Sequence, residues 1–111
     1  MNEDLVVPFA SLAWEDDVPG IRAKAAIVGG ERWALVAYVP GARREEWCRD
    51  GHQGLVLAGA VEYEFEDGGG TLVAEEGQAF MLATGRGHRG RNLAARETRL
   101  FLIDEAFDHE G

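Results

Sequence analysis

Apolar and polar residues alternate with a period of two along most of the chain, the signature of half-buried β-strands. In IRAKAAIV, Ile21, Ala23, Ala25 and Ile27 share one face, with Arg22 and Lys24 on the other. Gly29-Gly30 turns the chain, and RWALVAYV follows with Trp33, Leu35, Ala37 and Val39 on one side. These segments predict a hairpin, ended by Pro40-Gly41. GAVEYEF alternates most cleanly, setting Val61, Tyr63 and Phe65 against Glu62, Glu64 and Glu66. Those glutamates read as a solvated strand face. Asp67 and Gly68-Gly69-Gly70 form the next turn, and TLVA, AFMLA and RLFLI supply further short strands. The glycine run is not a phosphate cradle, because no helix signal follows it. Only GARREEWCRD could make a helical turn, and its place between two strands predicts a loop.

Many short strands with Gly/Pro turns between them predict an all-β sandwich or barrel. The 111 residues suffice for one core, and no internal repeat or linker divides them. Residues 1–19 are expected to form an arm or edge strand, 20–104 the domain, and 105–111 an acidic tail in which His109 is an exposed bystander.

Composition narrows the function. No apolar run approaches the ~20 residues of a membrane span, and MNEDLVV lacks the basic start of a signal peptide. Cys48 is the sole cysteine, so no internal disulfide can form, and a cytoplasmic location is expected. A net charge of -9 repels nucleic acid and anionic membranes. The positive charges nevertheless cluster. Arg43, Arg44 and Arg49 flank Cys48, and Arg86, Arg89 and Arg91 flank His88. Two readings stand: turn residues balancing an acidic body, or a positive rim drawing an anionic ligand, with Arg49 and Arg86 among its contacts.

The stretch GQAFMLATGRGHRGRN places Gly77, Gly85, His88 and Asn92 at fixed spacing, with Ala83 between the glycines. Upstream, Glu46, Cys48, His52 and Gly59 form a second constellation, preceded by Pro40-Gly41. Together these resemble the paired motifs of the cupin superfamily. The second cupin motif (glycine, proline, glycine, histidine, asparagine) is matched in type and spacing, except that Ala83 replaces the proline. The first (glycine, H-x-H, glutamate, glycine) is matched in frame only. Counting back from Gly59 places His52 in the glutamate slot, and Cys48 and Glu46 in the two histidine slots. Counted from Gly41 the motif is one residue short, so Glu46 is less firmly aligned than His52.

The resemblance implies an all-β, cupin-type β-barrel (a double-stranded β-helix or jelly-roll sandwich) over roughly residues 20–104, with a site inside and a homodimer as the assembly. Pairing would also cover open strand edges. The resemblance further implies that His52 and His88 converge on one point, with Cys48 beside them. Cupins that have lost H-x-H often carry no metal. The residues themselves still offer oxygen, sulfur and two imidazoles on Glu46, Cys48, His52 and His88, with 46, 48 and 52 on one face of an extended strand. Such donors suit a divalent metal, whether zinc, iron, manganese or nickel. The alternative is a small buried cysteine and two hydrogen-bonded histidines. Cys48 as a nucleophile, with His52 as its base, is a further possibility. One of Phe80 and Met81 should line the interior, and Met81 is counted among the ligand contacts. The leading expectation is a small cupin binding a small, anionic metabolite, with or without a metal. The alternatives are a metal-dependent dioxygenase or isomerase, and a non-catalytic sensor.

Overall fold

The computed structural model describes residues 3–104. The acidic tail and His109 lie outside the described residues. After a short 3-10 turn at Phe9–Ser11 come nine strands: β1 (Glu15–Val18), β2 (Ile21–Val28), β3 (Glu31–Tyr38), β4 (His52–Ala58), β5 (Ala60–Phe65), β6 (Thr71–Glu75), β7 (Ala79–Leu82), β8 (His88–Arg91) and β9 (Thr98–Asp104). They form two sheets, a six-stranded one ordered β1-β2-β3-β9-β4-β7 and a three-stranded one ordered β6-β5-β8. All named pairings are antiparallel. The expected β2–β3 hairpin forms through Gly29 and Gly30, both at positive φ. GARREEWCRD is a loop, as its position predicted. No helix among the described residues is long and apolar enough to cross a membrane.

The core lies between the sheets. Ala34, Val36 and Tyr38 from β3, and Leu100 and Leu102 from β9, meet Val61 and Tyr63 from β5. Each set has the period of two that turns alternate residues inward. On β3 the inward residues are thus the partners in alternation of Trp33, Leu35 and Ala37, and both faces of this strand are apolar. The reason is the N-terminal segment, which covers the outer face. Phe9 meets Phe101 edge-on at 6.2 Å, and Trp33 meets Phe101 at 6.0 Å. Arg22 and Lys24 lie over the Trp14 ring, and Lys24 also donates to the Leu12 carbonyl. On β2 the inward face ends early: Ile21 is buried, but Ala25 and Ile27 are exposed. Three strands cannot cover six, so the far end of β2 has no facing sheet.

The glutamates on and just after β5 face outward as expected, and each meets an arginine. Glu62 pairs with Arg91 at 2.6 Å, Glu64 with Arg89 at 3.2 Å, and Glu66 with Arg49. Two of these pairs are cross-strand neighbours on β5 and β8.

Asn92, the last residue of the second motif, acts in the fold. It is 1 % exposed. Its amide donates to the carbonyls of Tyr38 and Arg96, and its oxygen accepts from Ala94 N–H and the Thr98 hydroxyl. It thereby ties the ends of β3, β8 and β9 together. Asn92→Ala would strand buried partners, so it should lower unfolding stability by about 2–3 kcal/mol. Urea denaturation measures this, and a loss below about 0.5 kcal/mol would deny Asn92 that role.

Candidate metal and ligand site

The site forms where the loop before β4 closes against β8. Cys48 and His88 exchange both backbone hydrogen bonds, each at 2.9 Å. His52 opens β4, beside Asp104 at the end of β9. The donor atoms of Cys48, His52 and His88 all lie within 4.8 Å of one another. The two imidazoles stand edge-on, 4.8 Å between centroids, and the buried Tyr63 ring backs His88 at 5.8 Å. The sequence expectation that the two histidines converge holds in the structure.

Each histidine is oriented by a group that can only accept. His52 Nδ1 donates to Asp104 Oδ1 at 2.6 Å, and His88 Nδ1 faces the Arg86 carbonyl at 3.3 Å. The proton therefore sits on Nδ1 of each neutral ring, and Nε2 carries the lone pair. His52 Nε2 lies 3.8 Å from Cys48 Sγ. His88 Nε2 is buried without any hydrogen-bond partner. An unsatisfied buried nitrogen is costly unless something binds it.

The electrostatics agree. Chiefly the contact with His52 pulls the Cys48 thiol down to about 6, against burial, and the nearby His88 ring adds to it. Burial would depress His52, but its bonds to Asp104 and Cys48 outweigh that and carry it up to about 9. Burial would raise Asp104, yet His52 and Arg32 hold its carboxyl low. In the metal-free protein these shifts favour a thiolate beside an imidazolium near neutral pH.

These groups line one end of a cavity of about 1010 Å³ between the sheets. Its walls include Val36, Tyr38, Leu102 and Trp47, with Arg44 and Asp17 nearer β1.

Other sequence candidates fall elsewhere. Glu46 is exposed on the cavity wall and is not among the three clustered donors. Its loop makes two separate bridges to β8, Arg43 to Arg91 and Cys48 to His88. Five residue steps on the loop therefore face three on β8, and alternation does not carry across the extra residues. Met81 is 70 % exposed on the outer face, a correction to its place among the ligand contacts. Phe80 takes the inward position and packs on Tyr63. The Arg86 side chain pairs with Asp67 and lies over the Phe65 ring, away from the cavity. Its carbonyl, not its guanidinium, serves the site. Arg49 lines the cavity but is paired with Glu66.

Asp104 and Arg32 went unrecognised in the sequence. The signal was present: Leu100, Leu102 and Asp104 share the inward face of RLFLID, and a carboxylate there needs a partner.

Comparison with solved structures decides the fold. KdgF from Halomonas sp. superposes with a TM-score of 0.72 at 24% identity, covering 96% of this chain and 97% of that one. A Cupin 2 conserved barrel domain protein from Salinispora arenicola CNS-205 matches with a TM-score of 0.67 at 14% identity, over 94% of this chain and 88% of its own. The chain has the cupin fold. The polyketide cyclase RemF from Streptomyces resistomycificus is also similar, with a TM-score of 0.74 at 16% identity over 92% and 79% of the two chains. No protein-family model matches this chain, and no curated protein is similar to it in sequence.

The pKa values set a pH test for the metal-free protein. His52, raised from 6.5 to about 9, contributes stability that is complete below 6.5 and lost as pH rises through about 9. Cys48, lowered from 9.0 to about 6, contributes stability that is complete above 9.0 and lost as pH falls through about 6. The two slopes oppose each other, so wild-type stability should be nearly flat between them. Cys48→Ser removes the opposing slope and leaves the part of the His52 shift that Asp104 sustains, so stability should fall as pH rises. Denaturation in the presence of a chelator reads this directly, and equal pH profiles for both proteins would refute the thiolate–imidazolium pair.

Proposed function

We propose that this cupin holds a divalent metal ion on Cys48, His52 and His88 and presents it to a small molecule in the cavity. The observation that carries the reading is the buried, unpartnered Nε2 of His88, close to a low-pKa thiol and a second imidazole. The donor set fits such an ion. One thiolate and two imidazoles suit zinc, iron(II) or nickel ahead of manganese, which favours oxygen. Three protein donors leave a coordination position open, the pattern of catalytic rather than structural zinc sites. When bound, the ion supplies a Lewis acid for an oxygen of the ligand.

The chain's own residues do the rest. Asp104 and the Arg86 carbonyl hold the imidazoles with their lone pairs toward Cys48. Val36, Tyr38 and Leu102 offer a partly apolar wall to the ligand body. An anionic ligand remains the proposal, but its charge would be met at the ion. All six arginines beside the motifs already have carboxylate partners. RemF, a polyketide cyclase, supports an enzymatic version of this reading. Pairing of two chains belongs to the same proposal, since β1 and β7 are the open edges of the large sheet.

Protein purified without chelators should carry a single ion per chain. At about 100 times its Kd, zinc should add about 2.7 kcal/mol of stability. Cys48→Ser and His88→Ala should abolish most of that gain. Small carboxylates should then stabilise the zinc-loaded protein more than the metal-free one. If zinc, iron(II) and nickel all leave the wild-type melting temperature unchanged, the metal reading is wrong.

A second reading has its own observation. Cys48, His52 and Asp104 stand in series, thiol to imidazole to carboxylate, as in nucleophilic triads. Rapid alkylation of the metal-free thiol, with turnover of an acyl substrate that zinc suppresses, would favour it.

A further inference from the structure

Three consecutive strands of the large sheet place one polar residue each on the same inward rung. Arg32 on β3 pairs in register with Asp104 on β9, and Asp104 with His52 on β4. Their side chains continue the line: Arg32 Nη1 donates to Asp104 Oδ2 at 3.0 Å, and His52 Nδ1 donates to Asp104 Oδ1 at 2.6 Å. Both carboxylate oxygens are thus engaged from opposite sides. Asp104 is 7 % exposed as a residue, and the His52 side chain 13 %. A buried carboxylate so placed cannot turn without losing a charged partner.

We propose that Arg32 and Asp104 are positioning residues for the metal site, acting through His52. The inference rests on the metal reading above. Asp104 fixes the imidazole rotation and holds the ring proton on Nδ1, which keeps Nε2 free as a donor. Arg32 holds the carboxylate in place from the other side. His88 has no such relay: its Nδ1 faces a backbone carbonyl. The two imidazoles therefore differ in how they are held, and only that of His52 depends on a carboxylate.

The test is cobalt(II) affinity by competition with a chromophoric chelator, together with the cobalt ligand-field spectrum. Asp104→Ala should weaken binding about 10–100-fold, the usual cost of losing such a partner. Asp104→Asn is nearly isosteric and guards against a fold defect. Its amide can turn an N–H toward Nδ1 and shift the ring proton to Nε2, so it too should lose about tenfold or more. Arg32→Met should lose less, a few-fold, and should alter the spectrum in the same direction. Arg96→Gln, which breaks only the exposed pair with Glu76, should change neither readout. Wild-type affinity and spectrum in Asp104→Asn would overturn the relay while leaving the metal site standing. Should the wild-type protein bind no cobalt, the metal reading fails. The relay is then judged by proton NMR, where a slowly exchanging His52 Nδ1–H that is lost in Asp104→Asn supports it and an unchanged signal defeats it.

Discussion

Everything at the site depends on one narrow pair of backbone hydrogen bonds. Cys48 and His88 bond to each other through both N–H and C=O, at 2.9 Å each way. Residues facing each other across such a pair project their side chains to the same side of the ladder. The sulfur and the imidazole are thereby delivered to one point from two segments forty residues apart in the chain, one of them otherwise loop. Further loop bonds hold this closure: Gly85 N–H to the Arg49 carbonyl, Arg44 N–H to Gly90, and Asn92 N–H to Ala42. The loop is thus anchored as an irregular edge of the three-stranded sheet. A site on so anchored a backbone is held nearly as firmly as one on strands.

The second constraint is charge. A chain with twenty acidic residues places its few cations where they neutralise particular carboxylates. The outward face of β5 would be a column of glutamates without Arg91, Arg89 and Arg49 opposite them. These exposed or half-exposed pairs contribute little stability each. Their larger effect is on register, because like charges facing across β5 and β8 would disfavour the pairing that aligns His88. Trp47 and Phe65 add packing for Arg89 and Arg86, whose guanidinium groups lie over the rings at 4.0 and 3.7 Å.

The β architecture was legible because alternation and glycine turns are local signals, and local signals agreed with the final sheets. The β2–β3 hairpin and the outward glutamates of β5 needed nothing else. The second motif was legible for a similar reason: Gly77 and Gly85 are at positive φ, and His88 and Asn92 are buried polar residues, all tied to one stretch of chain. What failed depended on facts no single segment contains. Met81 and Phe80 alternate faithfully, but which of them points inward is set by pairing with β4, where Phe80 sits opposite Gly54. A Cβ on Gly54 would come within 2.8 Å of both Phe80 and Leu102, so the glycine makes room for the inward ring. Glu46 failed because its loop gains residues relative to β8 between two bridges.

Asp104 shows where legibility ended. Its inward parity could be read from RLFLID, but its partners come from strands that precede it by 52 and 72 residues. Only the strand order β3-β9-β4 makes them neighbours. That order also explains why a histidine can stand at the head of β4. An imidazole buried alone would stay neutral and free to choose either tautomer. With a carboxylate on the adjoining strand, and an arginine on the next to balance it, one orientation is imposed. The chemistry of His52 is therefore a property of three strands in register, whereas that of His88 is set by the carbonyl two residues before it. One donor is fixed by tertiary pairing and the other by local backbone, and the cavity receives both as a single site.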